Sequence, residues 1–511
     1  MIKKRIILIS LIAVLFVALL CAYLFVIAPM LEENGEEKEK IELLEGESWA
    51  SSTTILMFDQ VERANIQSIE IFNKNNNYKF YYDKEKNDFF IEGYESAPYS
   101  KEMIATLISN AGYPVTMKRV VDKTDDLSQY GLAESDNPAY YILTTRKGET
   151  FKVYIGNMIP TGVGYYTKYE KRDAVYITEA SISQTLLGKL ENLITPMLFI
   201  PTTQSDYFLV KDLILAKNDK PFIQVTTETK TAQTTDGKKY EDFVAYKMEY
   251  PAEYTVSTNY DVMLQGFMEL YGNSVLELCK DGEVFSDEIL EKYNLKKPAY
   301  ELLFTHNGIK NDVVISEKTE DGVYYAYSLL FNTICDIPAD LFNFLEWELI
   351  DYIEKPLFQY NITDIDSITV TAKDFDETFI VYTSEGETVT NPVTGATTTK
   401  TDLKVKIKSS DKYVTDPQNF RQFYMGLLTT NLVTYADVTD TEGLDCLATL
   451  KVVTREGKKM EFAFYPYATR RCLFTLNGKG EFYVLKDAID KMVSDAKKLI
   501  TGETVNYQDK D

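Results

Sequence analysis

The stretch that decides the fold is PAYELLFTHNGIKNDVVIS, Pro298 to Ser316. Apolar and polar residues alternate as far as Thr305, stop at His306, Asn307 and Gly308, and resume from Ile309. Period-two alternation marks a half-buried strand, and an Asn-Gly step accepts the positive φ of a tight turn, so the stretch predicts a β-hairpin. The same hairpin occurs twice more. PAYYILTTRKGETFKVYIG starts at Pro138 and turns at Arg146-Lys147-Gly148; LATLKVVTREGKKMEFAFY starts at Leu447 and turns at Arg455-Glu456-Gly457. His306 is the only histidine in 511 residues. Its counterparts are arginines at polar tips, which predicts an exposed turn residue and not a proton-transfer group.

The repetition extends outward from the hairpins. A short strand opens each copy, at Ile66–Ile71, Val210–Leu215 and Ile365–Val370, and an amphipathic helix follows, KEMIATLISNAGY from Lys101, YDVMLQGFMELYG from Tyr260 and NFRQFYMGLLTTN from Asn419. Leu127–Leu132 matches Leu290–Leu295, Ile194–Phe199 matches Glu354–Phe358, and closing helices are expected at Ala180–Leu190, Ala339–Leu349 and Lys486–Ile500. The turn glycines are 160 and 149 residues apart, a domain-sized period. The expected fold class is therefore α+β, with three tandem, diverged repeats over 55–200, 201–360 and 361–503 and a polar tail, 504–511. Each repeat should be a mostly antiparallel sheet with two helices on one face. The third should carry an extra hairpin tip, Glu387 to Lys400.

The opening residues predict a location. Lys3, Lys4 and Arg5 precede an unbroken apolar run, residues 6–28, which as a helix would reach roughly 34 Å, enough to cross a bilayer core of ~30 Å. Its length and the poor cleavage site at Ile27-Ala28-Pro29 argue for an uncleaved transmembrane anchor over a signal peptide. The basic flank places residues 1–5 in the cytoplasm and 29–511 on the extracytoplasmic side of a bacterial cytoplasmic membrane. Residues 29–54, rich in Glu, Lys and Ser, read as an acidic linker.

Composition and motifs exclude more than they assign. With 54 Lys+Arg against 78 Asp+Glu, the net charge of −24 repels nucleic acid, so no nucleic-acid partner is expected. One histidine cannot build a multi-histidine metal centre, and at an expected turn tip it is not placed to serve a Ser-His-Asp triad. Phosphate loops and nucleophile elbows are missing, and no cofactor is expected. The SxxK matches at Ser409 and Ser494 and the SDN match at Ser135 fall in the wrong order for an acyl-serine enzyme. Pro160–Tyr166 reads as a strand-connecting turn, echoed at Asp321–Tyr325. No acidic pair, such as Asp125-Asp126, fits a calcium loop. Cys279, Cys335, Cys446 and Cys472 form no CxxC pair; free buried thiols are the expected reading, with a disulfide left open. The 37 tyrosines supply the best binding signal. Tyr165, Tyr166, Tyr324 and Tyr325 are the candidate interaction surface, weighed against ordinary use of aromatics in strands.

The run from Ile55 to Ile108, the segment DLSQYGL from Asp126, the first hairpin and the apolar N-terminal run together resemble bacterial proteins carrying domain of unknown function 4340. The resemblance is strong over 55–200 and weaker, at repeat level, over 200–500. It implies membrane-anchored, outward-facing accessory proteins found beside ABC transporters of the gliding-motility type. The expected function is accordingly a non-enzymatic, membrane-anchored interaction scaffold with a transporter-type membrane partner. A wall-glycan or exported-peptide binding module is the alternative, and an enzyme using only carboxylates on glycans is a third reading.

Overall fold

The computed structural model describes residues 41–233, 239–390, 397–436 and 440–508. The expected transmembrane segment, the cytoplasmic tail, the linker as far as Lys40 and the last three residues lie outside the described residues. Among the described residues no helix is long and apolar enough to cross a membrane.

The first repeat forms eight strands: β1 Ile66–Phe72, β2 Asn77–Asp83, β3 Asp88–Ile91, β4 Lys118–Val121, β5 Ala139–Thr145, β6 Thr150–Met158, β7 Gly164–Tyr169 and β8 Val175–Glu179. They lie side by side in the order β3-β2-β1-β5-β6-β7-β8-β4. Hairpin contacts join sequence neighbours antiparallel, while β4, reached after the helix Lys101–Gly112, returns to the far edge beside β8. A second sheet, from Lys211–Lys217 to Thr333–Pro338, and a third, from Ile365–Ala372 to Lys479–Leu485, repeat this eight-strand order.

The expected α+β class with two covering helices per repeat is corrected by this count. The described residues are β-rich, with three eight-stranded sheets and a fourth of three strands. Strands as short as Lys118–Val121 carry too little alternation to be read locally; they exist because a neighbouring strand takes their hydrogen bonds. The expected helix Ala339–Leu349 is a 3₁₀ segment, Ala339–Glu346, interrupted at Phe342, followed by one helical turn at Leu349–Tyr352. The long helices Pro417–Leu428 and Lys486–Thr501 form as read, the former capped by Asp416 with Pro417 in its first turn. Long first hairpins extend both the second and the third repeat, with strands Lys220–Gln233 and Lys239–Tyr250, and Phe375–Thr390 and Thr397–Ile407.

The chain divides into two compact units, one reaching to Phe89 and including Ala105–Gly188, the other made of Phe90–Ile104 and everything from Lys189. The first unit carries β1, β2 and β4–β8 with the small sheet, in which Leu56 pairs with Val115. Within the second unit the same joint recurs: Met197 pairs with Tyr271, and Pro356 with Asn431. Each of these docking segments, of which only Ile55–Leu56 is a strand, ends in a phenylalanine that is almost fully buried, Phe58 at 3%, Phe199 at 1% and Phe358 at 1% exposed. Phe199 packs against Phe267 and Phe304 at 5.1 and 5.0 Å, Phe358 against Tyr424 and Phe462 at 6.0 and 5.7 Å. Ile194 and Ile353 bridge back to Tyr99 and Val256. The matched sequences at Ile194 and Glu354 are thus connectors, and Ile55–Phe58 is a third of the kind.

The hairpin tips differ by one residue. In the first and third repeats a three-residue turn closes on Thr145 and Thr454, with Gly148 at φ 86° and Gly457 at φ 87°. In the second, Asn307 at φ 51° and Gly308 at φ 76° form a two-residue turn, which draws His306 into the strand opposite Ile309. His306 is therefore buried, 5% exposed, and not the exposed tip residue that alignment with Arg146 and Arg455 suggests.

Candidate functional site

An open cleft of about 970 Å³ lies in the first unit. Its sides are the segment that follows the strand Ile55–Leu56 (Phe58–Val61), the tip of the β5–β6 hairpin (Thr145–Phe151), the β7 end (Tyr169–Asp173), Asp122 and Lys123, and the N-terminal segment Leu44–Gly46. Five basic and five acidic side chains line it. Phe58, Phe151 and Tyr169 form an aromatic floor, with Phe58 4.6 Å from Phe151 and 5.2 Å from Tyr169.

The N-terminal wall is fixed by a buried ionic cluster. The Glu47 side chain is fully enclosed, and its carboxylate accepts hydrogen bonds from Arg119 Nη1 at 2.5 Å, Tyr176 Oη at 2.7 Å and the Leu44 N–H at 2.7 Å. Arg172 Nη1 stands 4.0 Å away. The two arginines also hold the backbone: Arg119 donates to the Glu42 carbonyl at 2.8 Å, and Arg172 to the carbonyls of Glu45 at 2.5 Å and Met57 at 2.7 Å. Burial, followed by the hydrogen bond to Glu47, pushes the Tyr176 phenol far above its ordinary range, so it stays protonated, donating to Glu47 and accepting from Arg172 Nη1 at 2.9 Å. A carboxylate taken out of water needs partners of this kind. Nothing local marks Glu47, which sits in the Glu-, Lys- and Ser-rich stretch read as a solvated linker. Its partners Arg119 and Arg172 are more than 70 residues away.

The equivalent place in the other repeats is used differently. From the docking phenylalanine to the next sheet the chain takes eleven positions in the second repeat (Phe199 to Val210) against eight in the first (Phe58 to Ile66). The longer connection brings Asp206 onto the hairpin tip, 3.4 Å from His306 Nε2 and within 3.3 Å of the Asn307 amide nitrogen. Partial burial raises the Asp206 carboxyl, but the Thr203 N–H and hydroxyl, Asn307 and His306 outweigh it and hold the group below the usual carboxylate value. In the third repeat the Arg455 guanidinium donates to the Thr363 and Val381 carbonyls and to the Thr383 hydroxyl. Arg146 of the first repeat instead lies 4.0 Å over the Tyr82 ring and faces the cleft.

Of the tyrosines singled out in the sequence, Tyr324 is 1% exposed and donates to Glu346 at 3.2 Å. Tyr166 and Tyr325 are half-buried against Tyr130 and Tyr293, at 4.9 and 5.1 Å, so the two Leu-x-x-Tyr-x-Leu matches serve to cover these sheets. Tyr165 is half-buried in β7. None of the four lines the cleft. Cys279, Cys335, Cys446 and Cys472 are free thiols, Cys446 alone exposed, and burial pushes the Cys335 thiol up to about 12. Among the described residues no group of three or more His, Cys, Asp or Glu side chains is placed to hold a metal ion. Glu301 and Asp312, on adjacent strands of the second sheet, are both raised by burial, Glu301 also by Asp312 and Asp219. They lie in a different repeat from the cleft.

A family model described as Domain of unknown function (DUF4340) matches residues 90–261, from the end of β3 to the first helix of the second repeat. No curated protein and no solved structure matches the chain.

Proposed function

We propose that the chain is a non-enzymatic interaction module, tethered to a bacterial cytoplasmic membrane through residues 6–28, that serves a transporter-type envelope complex and grips a partner in the cleft of its first repeat. The observation that carries this reading is the cleft's wall: Leu44–Gly46 belongs to the segment that leads out of the apolar run. Residue 44 is sixteen steps beyond residue 28, at most about 55 Å of extended chain, so the cleft works within reach of extracytoplasmic loops of a membrane protein. The basic residues before the apolar run and the glutamates after it support the orientation. The likeness to the domain of unknown function supports the transporter association by analogy.

The cleft's charges favour holding over chemistry. Asp122 is bound to Arg119 at 2.7 Å and Asp173 stands 3.6 Å from Lys123, which leaves these carboxylates engaged. The test is crosslinking in the native membrane with a photoreactive residue at Lys147, on the cleft rim. The expected product joins the chain to an integral membrane protein of transporter type. Repeated recovery of the chain alone, under conditions that crosslink neighbouring membrane complexes, sinks the reading.

A further inference from the structure

The structure assigns to the first-repeat cleft a ligand class: an extended polypeptide segment carrying an apolar side chain between charges of opposite sign. This rests on the reading of the cleft as the partner-binding site and specifies what the partner presents there.

Three observations select a polypeptide. The first is the charge pattern. The five basic and five acidic side chains that line the cleft give no net preference for an anion or a cation. Arg172 and Asp122 are engaged in the wall, while Arg146 and Lys147 stand with Asp59 and Glu149 as exposed groups of both signs. A ligand that satisfies both must carry both, as peptides do, and an anionic polymer meets carboxylates on a chain of net charge −24.

The second observation concerns the floor. Sugars bind aromatic sites by lying on open ring faces, but Phe58 is 3% and Tyr169 6% exposed. Only Phe151 keeps part of its surface free, enough to receive one apolar side chain and too little for a glycan platform.

The third is a precedent within the molecule. The cleft wall already holds a stretch of backbone, residues 42–47 with the turn that the Glu47 N–H closes on the Leu44 carbonyl, by arginine donors to the carbonyls of Glu42 and Glu45. A second segment laid beside this turn meets the exposed Arg146, Lys147, Asp59 and Glu149 of the same cleft. The other repeats close this place, with Asp206 and His306 in the second and with Arg455 turned onto backbone carbonyls in the third. One site per chain follows.

The test uses the purified full chain in detergent and fluorescein-labelled hexapeptides read by anisotropy. The probe Lys-Gly-Leu-Leu-Gly-Glu is compared with the same peptide bearing two lysines, with one bearing two glutamates, and with N-acetylglucosamine tetramer as competitor. The mixed-charge peptide should bind tightest, resist the sugar, and lose at least tenfold in affinity on Arg146→Glu. Arg470→Glu, at a third-repeat position with 81% of its side chain exposed, should leave binding unchanged. Unaltered thermal unfolding of Arg146→Glu excludes misfolding as the cause. Displacement by the sugar, equal binding of all three peptides, or no peptide binding overturns the inference. If the membrane crosslink through Lys147 persists in that case, the partner reading stands and only the ligand class falls; if the crosslink is also missing, both fall.

Discussion

Replacing Glu47 by alanine tests the account of the cleft wall most directly. The substitution removes the acceptor for Arg119, Tyr176 and the Leu44 N–H at once. Breaking a buried ion pair by deleting one partner costs about 3–5 kcal/mol, because the surviving charge stays in a poor solvent. Here the arginine side chains are 11% and 10% exposed and keep other acceptors, which places the expected loss at the lower end, about 3 kcal/mol. For a unit of this size each kcal/mol lowers Tm by about 3 °C, so the transition of the first unit should fall by ~9 °C. Scanning calorimetry of the full chain reads this, with Glu241→Ala as control. Glu241 pairs with Lys211 at 2.6 Å, but the two side chains are 53% and 30% exposed, and such pairs are worth at most about 1 kcal/mol. Hydrogen exchange should show the amides of residues 41–58 losing protection in Glu47→Ala alone. A fall of less than about 2 °C with that protection intact would refute the claim that Glu47 holds the wall.

Phe358→Ala should cost about 3–5 kcal/mol by urea unfolding, since it empties a position 1% exposed between Tyr424 and Phe462; a loss under 1 kcal/mol means the docking segment is dispensable. Lys217 sits 3.8 Å over the Phe222 ring and donates to the Trp347 carbonyl, and burial pushes its ammonium down to about 8 against the opposing pull of Glu348 and Asp351. Between about pH 8 and 10.5 the unfolded chain holds this proton and the folded one does not, so Lys217's contribution makes stability rise with pH across that window. Lys217→Met should raise the urea midpoint at pH 7 and flatten the rise, and an unchanged slope tells against the assignment. Gly480→Ala places a Cβ 2.1 Å from the Phe474 carbonyl oxygen. Local rearrangement of the last hairpin and a loss of at least about 2 kcal/mol are expected, read as a lowered midpoint of urea unfolding; wild-type stability would show that the hairpin can yield.

How much of this was legible in the sequence depends on the range of the forces involved. The threefold hairpin was, because alternation and a turn glycine are local properties of a dozen residues around Gly148, Gly308 and Gly457. The helices at Lys101, Asn419 and Lys486 were, because an amphipathic stripe repeats every turn. The edge strand Lys118–Val121 and the two-residue strand Ile55–Leu56 were not, since both are defined by partners elsewhere in the chain. His306 misled for a subtler reason: alignment kept its place in the copy, but a turn shorter by one residue moved it from the tip into the sheet. The cleft escaped notice because its wall depends on Glu47 meeting two distant arginines. The candidate tyrosines were read from abundance, and the structure spends most of them on covering sheets.

The docking segments also give the molecule a direction in time. Every one comes from chain that precedes the repeat it packs into, Ile55–Phe58 before the first, Ile194–Phe199 before the second and Ile353–Phe358 before the third. A polypeptide that crosses a membrane behind an N-terminal anchor would release each docking segment before the sheet it packs against. No acceptor groove then waits open for a segment still on the other side, and each repeat can close as soon as its own last strand emerges.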